Sequence, residues 1–274
     1  MMIIEPCAGL GNRLLGLGSA YAVAEKLKRE LIVIWKREVG CNVRADELFE
    51  LPMQVIEISE NGFKREPLAH LRSNRIKEKY RGMASCFLEC DDVERIKREE
   101  GYEGLFHAIE KEPVIYLKSF GPICELGPES YSFLVPDRRV EERGVHLFGQ
   151  IDAHTVGVHV RRTDHTEAIA NSPIALFVER MRAELASDGG TGFFVATDDE
   201  SVKKELKEEL PGVRLIFHEG GIIDRNSKEG LYDAFVEMLA LSRCRKILGS
   251  YNSTFSLLPS YIGNIPLETV QKGS

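Results

Sequence analysis

The residue types best suited to chemistry lie together in the run His-Val-Arg-Arg-Thr-Asp at residues 159–164. Apolar residues precede this run, which predicts that it follows the carboxyl end of a strand. Side chains alternate along a strand, so His159 and Arg161 share one face while Arg162 lies on the other. A guanidinium stays charged and binds phosphate oxygens through two N–H groups, so one arginine suits a pyrophosphate ligand. The inward arginine needs a carboxylate, from Asp164 or from another segment; a structural ion pair explains the same residues.

A second run of interest, Ala-Gly-Leu-Gly-Asn-Arg at residues 8–13, lies between a short apolar run and a helical pattern. Strand, glycine loop and helix in that order form an anion site from backbone N–H groups at a helix N-terminus. The alternative is that Gly9 and Gly11 only allow a tight turn, with Asn12 as the helix N-cap.

The same loop bears on a dinucleotide-binding interpretation, that of an NAD(P)-dependent oxidoreductase. The fingerprint G-x-G-x-x-G requires a third glycine where Leu14 stands. The acidic ribose-binding residue expected after the second strand is replaced by Lys36 and Arg37. Both departures weaken this interpretation.

Two further junctions between a strand and a helix carry polar residues. Asp198 and Asp199 follow an apolar run, where they can serve a ligand or cap the next helix. Residues 249–256, Gly-Ser-Tyr-Asn-Ser-Thr-Phe-Ser, offer hydroxyl groups and backbone amides that suit a phosphate, or an ordinary helix cap. Glu237 lies in a helical pattern and is usually expected to face solvent; facing a cleft, it can accept hydrogen bonds from a purine edge.

Composition narrows the class of protein. The chain has 274 residues, with 36 Lys and Arg against 43 Asp and Glu, and a net charge of −7. This acidic balance argues against a general nucleic-acid-binding protein. The six cysteines form no C-x-x-C pair and no cluster with histidine, so neither a metal site nor a disulfide framework is expected. No D-x-D triplet occurs, which argues against a metal-dependent nucleotide-sugar transferase.

The scattered cysteines, together with two absences, predict a cytoplasmic protein with reduced thiols. No stretch reaches the roughly 20 apolar residues of a membrane helix. The start of the sequence lacks the basic and apolar regions of a secretion signal.

Alternation of strands and helices predicts parallel sheets covered on both faces. Strands are predicted at residues 3–4, 31–35, 54–58, 113–117, 155–160, 192–197, 213–217 and 246–248, and helices at residues 14–27, 91–100, 173–186, 199–210, 231–244 and from 254 onward. The polar stretch 135–150 is interpreted as a border. We therefore predict two Rossmann-like domains, residues 1–150 and 151–274, facing a cleft, with ligands at the carboxyl ends of the strands.

The four runs together resemble one superfamily, the α1,6-fucosyltransferases (including the nodulation enzymes) with the α1,2- and protein O-fucosyltransferases. The resemblance is limited to motifs in the first 35 residues and nearly continuous from about residue 155 to 256, whereas residues 36–154 carry no such resemblance. It implies a GT-B glycosyltransferase that moves fucose from GDP-fucose to a glycan hydroxyl, inverts the anomeric centre and needs no metal. The N-terminal domain would lie on the acceptor side and the C-terminal domain on the donor side.

The resemblance also implies roles for residues. Arg161 would bind the β-phosphate with Arg162 as its structural partner, and His159 and Glu237 would contact guanosine. Glu167 resembles the family's base at a shorter spacing. The catalytic candidates are Arg161, Glu167, Asp164 and Asn12. The donor-binding candidates are His159, Arg162, Asp198, Asp199, Glu237, Asn252, Ser253, Thr254, Gly9 and Gly11.

Two points stay open. The general base is Glu167 or Asp164, with Glu5 a weaker candidate in the first domain. A nucleotide-sugar-binding module without turnover, which would keep Arg161 and Ser253 but lack a competent base, is the alternative to an enzyme.

Overall fold

The chain forms two compact α/β units. The computed structural model describes residues 1–59, 67–163, 166–224 and 226–273. Unit 1 comprises Met1–Arg139 with Asp224–Leu231, and unit 2 comprises Val140–Ile223 with Tyr232–Ser274. The division falls before the border expected at Gln150, and one later segment belongs to unit 1.

Unit 1 is built on a five-stranded parallel sheet in the order β4-β2-β1-β6-β5. Its strands are β1 (Met2–Pro6), β2 (Leu31–Arg37), β3 (Phe49–Glu50), β4 (Gln54–Ser59), β5 (Cys86–Leu88), β6 (Ile115–Ser119) and β7 (Val135–Pro136). Its helices are α1 (Leu10–Leu27), α2 (Ala45–Leu48), α3 (Pro67–Met83), α4 (Cys90–Ile109) and a 3₁₀ helix (Pro128–Tyr131). Strands β3 and β7 form a separate antiparallel pair.

Unit 2 is built on a second parallel sheet in the order β10-β9-β8-β11-β12. Its strands are β8 (Thr155–Val160), β9 (Gly192–Thr197), β10 (Leu215–Phe217), β11 (Ile247–Ser250) and β12 (Leu267–Val270). Its helices are α6 (Thr166–Asn171), α7 (Ile174–Ser187), α8 (Glu200–Glu209) and α10 (Thr254–Gly263), while α5 (Arg138–Phe148) and α9 (Lys228–Ser242) each begin in unit 1.

The strand order of unit 2 defines where a ligand is expected. Its first strand, β8, lies in the middle, with β9 and β10 on one side and β11 and β12 on the other. The direction of winding therefore reverses between β8 and β11, and open α/β sheets bind ligands outside the carboxyl ends of the strands at such a point. The register pairs His159 with Gly249 and with Ala196, so the residues that follow all three strands meet at one edge.

The central strands of the unit 2 sheet are buried along their whole length, so helices must cover both faces of this sheet. Every residue of β8 and β9 is buried, as expected for parallel strands with helices on both faces. Val156, Val158 and Val160 pack in one cluster with Phe177 of α7 and Leu206 of α8. Each strand and helix predicted from the sequence is present. No helix in the described part of the chain combines the length and apolar character needed to cross a membrane.

The polar stretch 135–150 contains the division between the two units, after Arg139, and it also carries β7 and the whole of α5, which the sequence did not predict. Val140, Gly144 and Leu147 are buried and form one face of this helix, while its other positions are mainly Arg and Glu. Few apolar residues are enough for a helix that rests on a core through a single narrow face.

Candidate functional site

Arg161 and Asp198 form an ion pair at the carboxyl edge of the unit 2 sheet. Nη1 of Arg161, just after β8, lies 2.8 Å from Oδ2 of Asp198, just after the neighbouring strand β9. Oδ1 of Asp198 accepts the backbone N–H of Arg162 at 2.7 Å, and Oδ2 also accepts the hydroxyl of Thr163 at 2.7 Å. The side chain of Arg161 is 26% exposed, so its positive charge is oriented by a carboxylate and still reaches the surface.

Ser250 joins the ends of β8 and β11 where the winding reverses. Its hydroxyl accepts the backbone N–H of Arg161 at 2.8 Å and donates to the carbonyl of His159 at 3.0 Å. The Ser250 hydroxyl therefore fixes the backbone on both sides of Val160, just before the two arginines. The sequence interpretation did not single out Ser250; its position as the last residue of a buried strand beside the central strand is the signal.

His159 is buried and neutral. Its Nδ1 lies 2.7 Å from Oγ of Ser256, and its ring stacks on Phe255 with centroids 4.8 Å apart. Burial, followed by the charges of Arg161 and Arg162, lowers its pKa to about 3. His159 therefore carries no charge near neutral pH and holds α10 against β8.

Arg162 differs from Arg161 in burial, because Arg162 is 9% exposed whereas the side chain of Arg161 is 26% exposed. Its side chain is largely buried, and Nη1 donates to the carbonyl of Arg161 at 2.8 Å. Burial lowers its pKa, which the charges of Asp198, Glu205 and Asp199 oppose. An arginine stays charged under these conditions, so Arg162 is a buried charge that helps to fix the loop.

The loop after β11 leads directly into a helix N-terminus. Tyr251 donates its backbone N–H to the hydroxyl of Ser172, which anchors the loop. Asn252 is exposed with φ of +48°, in the left-handed region that asparagine tolerates. Ser253 is the N-cap of α10, without a side-chain cap hydrogen bond, and Thr254 is the first helical residue. The first amides of α10 thus add partial positive charge to the edge that carries Arg161.

Glu237 is mostly buried, contrary to the usual solvent-facing position of a helical carboxylate. It is 20% exposed, and Oε1 lies 3.6 Å from Nδ1 of His218, just after β10. Burial raises the pKa of Glu237, and His218 opposes that shift. Nε2 of His218 lies 3.7 Å from Oδ1 of Asp233, one turn earlier on α9.

Asp233 anchors the cluster that it forms with His218 and Glu237. It is almost fully buried and pairs with Arg143 of α5 through both carboxylate oxygens, Oδ2 lying 2.9 Å from Nη2. Oδ2 also accepts the backbone N–H of Ile222 at 2.8 Å. Neither Asp233 nor Arg143 stands out in the sequence, because the two lie 90 positions apart.

The glycine loop of unit 1 differs in detail from the expected cap. The N-cap of α1 is Gly9, in an extended conformation, so Asn12 lies in the first turn and the interpretation of Asn12 as the N-cap was wrong. Gly11 is buried in the same turn, whereas a Cβ added at Gly9 would meet open space. Ala8, just before the cap, has φ of +68°.

Arg13 holds this loop in place. Its side chain is fully buried, with Nε donating to the carbonyl of Ala8 at 2.7 Å and Nη2 lying 2.6 Å from Oε1 of Glu38. The guanidinium also stacks over Trp35, 5.1 Å from the ring centroid. A buried, paired arginine thus stabilises the left-handed backbone at Ala8.

The candidate bases have different surroundings. Asp164 lies outside the described residues. Glu167 is exposed in the first turn of the short helix α6. Glu5 is 2% exposed, and its two oxygens accept from Lys77 and Tyr116, each at 2.6 Å, so we assign it a structural role rather than that of the base.

Asp199 is the N-cap of α8, and its side chain accepts the backbone N–H of Ser201 at 2.8 Å. No group of three His, Cys, Asp or Glu residues in the described part of the chain is arranged to hold a metal ion.

Two Rossmann-like units, each built on a five-stranded parallel sheet, correspond to the predicted GT-B fold class. Solved structures of fucosyltransferases share it. NodZ alpha-1,6-fucosyltransferase soaked with GDP-fucose matches with a TM-score of 0.59 and 19% identity, covering 95% of this chain and 92% of that chain. NodZ from Bradyrhizobium matches with a TM-score of 0.58 and 20% identity, covering 95% and 92%. POFUT1 in complex with GDP matches with a TM-score of 0.57 and 14% identity, covering 98% of both chains.

Sequence comparison alone finds no relative: no family profile matches the chain, and no curated protein does. At 14–20% identity the structural matches show the fold. The predicted fold class and the fold-level resemblance to fucosyltransferases are therefore confirmed.

Proposed function

We propose that this chain transfers fucose from GDP-fucose to a glycan hydroxyl, with inversion and without a metal ion. The observation that carries the proposal is the guanidinium of Arg161, held by Asp198 where the winding of unit 2 reverses. The shared fold with NodZ and POFUT1, whose structures contain GDP-fucose or GDP, supports the donor class. Unit 2 would bind the donor and unit 1 the acceptor.

The chemistry requires stabilisation of a departing diphosphate. As the bond to the anomeric carbon breaks, negative charge develops on the β-phosphate. A preorganised guanidinium and the N-terminal amides of α10 can neutralise that charge without a cation, because they need little reorganisation during the reaction. In this proposal Arg161 binds the β-phosphate, and Asn252, Ser253 and Thr254 add hydrogen bonds.

The nucleoside contacts are assigned by charge. Guanine presents two N–H donors on one edge, and a carboxylate accepts both. Glu237 is the acceptor in this proposal, positioned by His218 and Asp233. His159 contacts the guanosine as a neutral ring, since its low pKa excludes a charged role near neutral pH. Asp198 acts through Arg161.

A base must accept the proton of the acceptor hydroxyl, since inversion proceeds by one direct displacement. Asp164 and Glu167 remain the proposed candidates. Asn12, with Gly9 and Gly11, would lie near the reacting sugar. A cytoplasmic location is also part of the proposal, supported by the six cysteines, which are all free thiols.

The alternative is a nucleotide-sugar-binding module without turnover. The exposure of Glu167 and the structural role of Glu5 favour it, since both weaken the case for a base. This alternative keeps the donor contacts and lacks only the chemical step.

A binding comparison tests the donor assignment. Calorimetric titration with GDP, UDP and ADP, each with and without EDTA, should show the tightest binding for GDP and no effect of EDTA. Arg161→Ala should weaken GDP binding about tenfold or more, equivalent to roughly 1.4 kcal/mol. Arg182→Ala is the matched control, because it removes exposed contacts with Glu209 alone, an ion pair and a hydrogen bond to its carbonyl. Equal affinity for the three nucleotides would reject the donor assignment.

A turnover measurement separates the enzyme from the binding module. Slow hydrolysis of GDP-fucose to GDP should be detectable with the unaltered chain, persist in EDTA and disappear in Arg161→Ala at an unchanged melting temperature. Tight GDP binding without any release of fucose, also in the presence of glycan acceptors, would favour the binding module.

A further inference from the structure

Cys7 and Cys90 form a contact that neither the fold comparison nor the proposed function explains. Their Sγ atoms lie 3.4 Å apart although the residues are 83 positions apart in the chain. Both side chains are partly exposed. We propose that these two thiols are a redox-active pair that closes to a reversible disulfide, joining the loop after β1 to the start of α4.

The backbone keeps the two sulfur atoms together. Cys7 donates its backbone N–H to the carbonyl of Ser119 at 3.0 Å, which fixes it beside the end of β6. Cys90 is the first residue of α4 and follows β5, the neighbour of β6. A disulfide has an S–S distance of about 2.05 Å, so the sulfurs must approach by about 1.4 Å.

The surroundings distinguish this pair from three of the other four thiols, Cys41, Cys124 and Cys244. Sγ of Cys124 donates to the carbonyl of Ser19 at 3.5 Å, and Sγ of Cys244 donates to the carbonyl of Ala240 at 3.4 Å. Cys41 is buried beside Glu38 and Glu57. Each of these three lies in a setting that holds the thiol in its reduced form, whereas Cys7 and Cys90 face each other.

The order of reaction follows from the protonation of Cys7. Burial, followed by the hydrogen bond with Cys90, raises the pKa of Cys7, so Cys7 is a poor nucleophile at neutral pH. Cys90 therefore attacks first. Its thiolate displaces one thiolate from a small disulfide such as oxidised glutathione, forming a mixed disulfide. Sγ of Cys7 then attacks Sγ of Cys90 and releases the second thiolate. The two protons from the protein thiols pass to the two released glutathiones.

The structural consequence lies in the glycine loop. Ala8, next to Cys7, has φ of +68° and is held by Arg13. A bond from Cys7 to α4 would fix this backbone covalently. The inference does not depend on the proposed function, because disulfide formation is measured directly. In a reducing compartment such a bond is transient and redox-sensing.

The test uses the full chain in mixtures of oxidised and reduced glutathione, quenched with acid, alkylated and analysed by intact mass and peptide mapping. Oxidation should remove two of the six thiols, lower the mass by two hydrogen atoms and link the peptides that contain Cys7 and Cys90. Dithiothreitol should reverse the change. Cys124→Ser should form the same link.

Single variants test the order of reaction. Cys7→Ser should accumulate a mixed disulfide with glutathione at Cys90, whereas Cys90→Ser should leave Cys7 as a thiol. Melting curves check the fold of each variant, with Cys7→Ala as a second choice. The proposal is overturned if the unaltered chain keeps six thiols in excess oxidised glutathione, or if the recovered disulfide links other cysteines.

Discussion

Oδ2 of Asp198 lies 2.8 Å from Nη1 of Arg161, and Oδ1 of the same carboxylate accepts the backbone N–H of Arg162 at 2.7 Å. One side chain therefore fixes the direction of a guanidinium and the path of the chain that carries it. Asp198 comes from the neighbouring strand, so the packing of β8 against β9 sets the geometry of the anion site.

Asp198→Asn should weaken GDP binding without abolishing it. The amide keeps the shape of the side chain but loses the charge that orients Arg161, and hydrogen bonds to charged groups contribute about 1.5–3 kcal/mol. We expect roughly a tenfold or larger rise in the Kd for GDP, measured by calorimetry. Asp188→Asn is the control, because Asp188 pairs with the exposed His154. Unchanged GDP affinity in Asp198→Asn would remove its positioning role.

Asp199→Ala should destabilise the chain by about 1 kcal/mol, the usual effect of losing an N-cap side chain. Urea denaturation followed by circular dichroism measures this change, and Asp199→Asn should recover most of it. GDP binding by the same variant decides between its two roles. Unaltered affinity leaves Asp199 as a cap, whereas a marked loss supports the donor contact that the sequence resemblance implied.

His159 should stay neutral at pH values well below those at which histidine side chains usually become protonated. Its pKa is lowered to about 3, against 6.5 for the ordinary side chain, so the unfolded chain binds more protons between these values. The contribution to stability is present above about pH 6.5 and is lost as pH falls towards 3. Ring carbon chemical shifts followed by NMR should show no protonation of His159 down to about pH 4. A titration midpoint near 6.5 would contradict the buried contact with Ser256.

Glu57 should make the chain less stable as pH rises towards neutrality. Oε1 accepts the backbone N–H of Ala45 at 2.8 Å, whereas Oε2 is buried without a hydrogen bond. Burial raises the pKa of Glu57 to about 7, so the folded chain binds more protons than the unfolded chain between about pH 4.5 and 7. The free energy of unfolding contributed by this group therefore falls as pH rises through that window.

Glu57→Gln tests this assignment, because the amide is neutral and its oxygen can still accept from Ala45. We expect the difference in unfolding free energy between pH 5 and pH 8 to shrink by on the order of 2 kcal/mol. Urea denaturation at both pH values measures it. Parallel pH profiles for the two proteins would show that Glu57 ionises normally.

Glu237 should make GDP binding sensitive to acid. A carboxylate accepts both guanine donors only when ionised, and burial raises the pKa of Glu237. GDP affinity should therefore fall on acidification, starting above the usual range of a glutamate. The preference for GDP over inosine diphosphate, which lacks the 2-amino group, should fall in parallel. Glu237→Gln should remove the pH dependence and most of the preference; if it changes neither, Glu237 does not contact the base.

The sequence was sufficient to predict the local elements that carry the site. The buried runs that form β8 and β9 are continuous and apolar, and each ends at a polar residue with evident chemistry. Strand alternation predicts that Arg161 and Arg162 point to different faces, and Arg162 is the more buried of the two. These inferences succeeded because they depend only on neighbouring residues.

Contacts between residues that are far apart in the sequence could not be predicted. Either arginine had open choices of carboxylate, and the pairing with Asp198 depends on which strand lies beside β8. The cluster of Asp233, Arg143 and His218 depends on how α5 and α9 pack. Helix α5 was missed because its buried face is narrow. The contact between Cys7 and Cys90 needs the strand order of unit 1, which a single sequence does not contain.

Trp35 is the one tryptophan of the chain, and the guanidinium of Arg13 lies over its ring. Arg13 in turn holds the carbonyl of Ala8. The tryptophan fluorescence of the protein thus comes from a single indole in contact with the residue that fixes the first glycine loop. Any event that displaces this loop should therefore change the emission of the buried Trp35, without an added label.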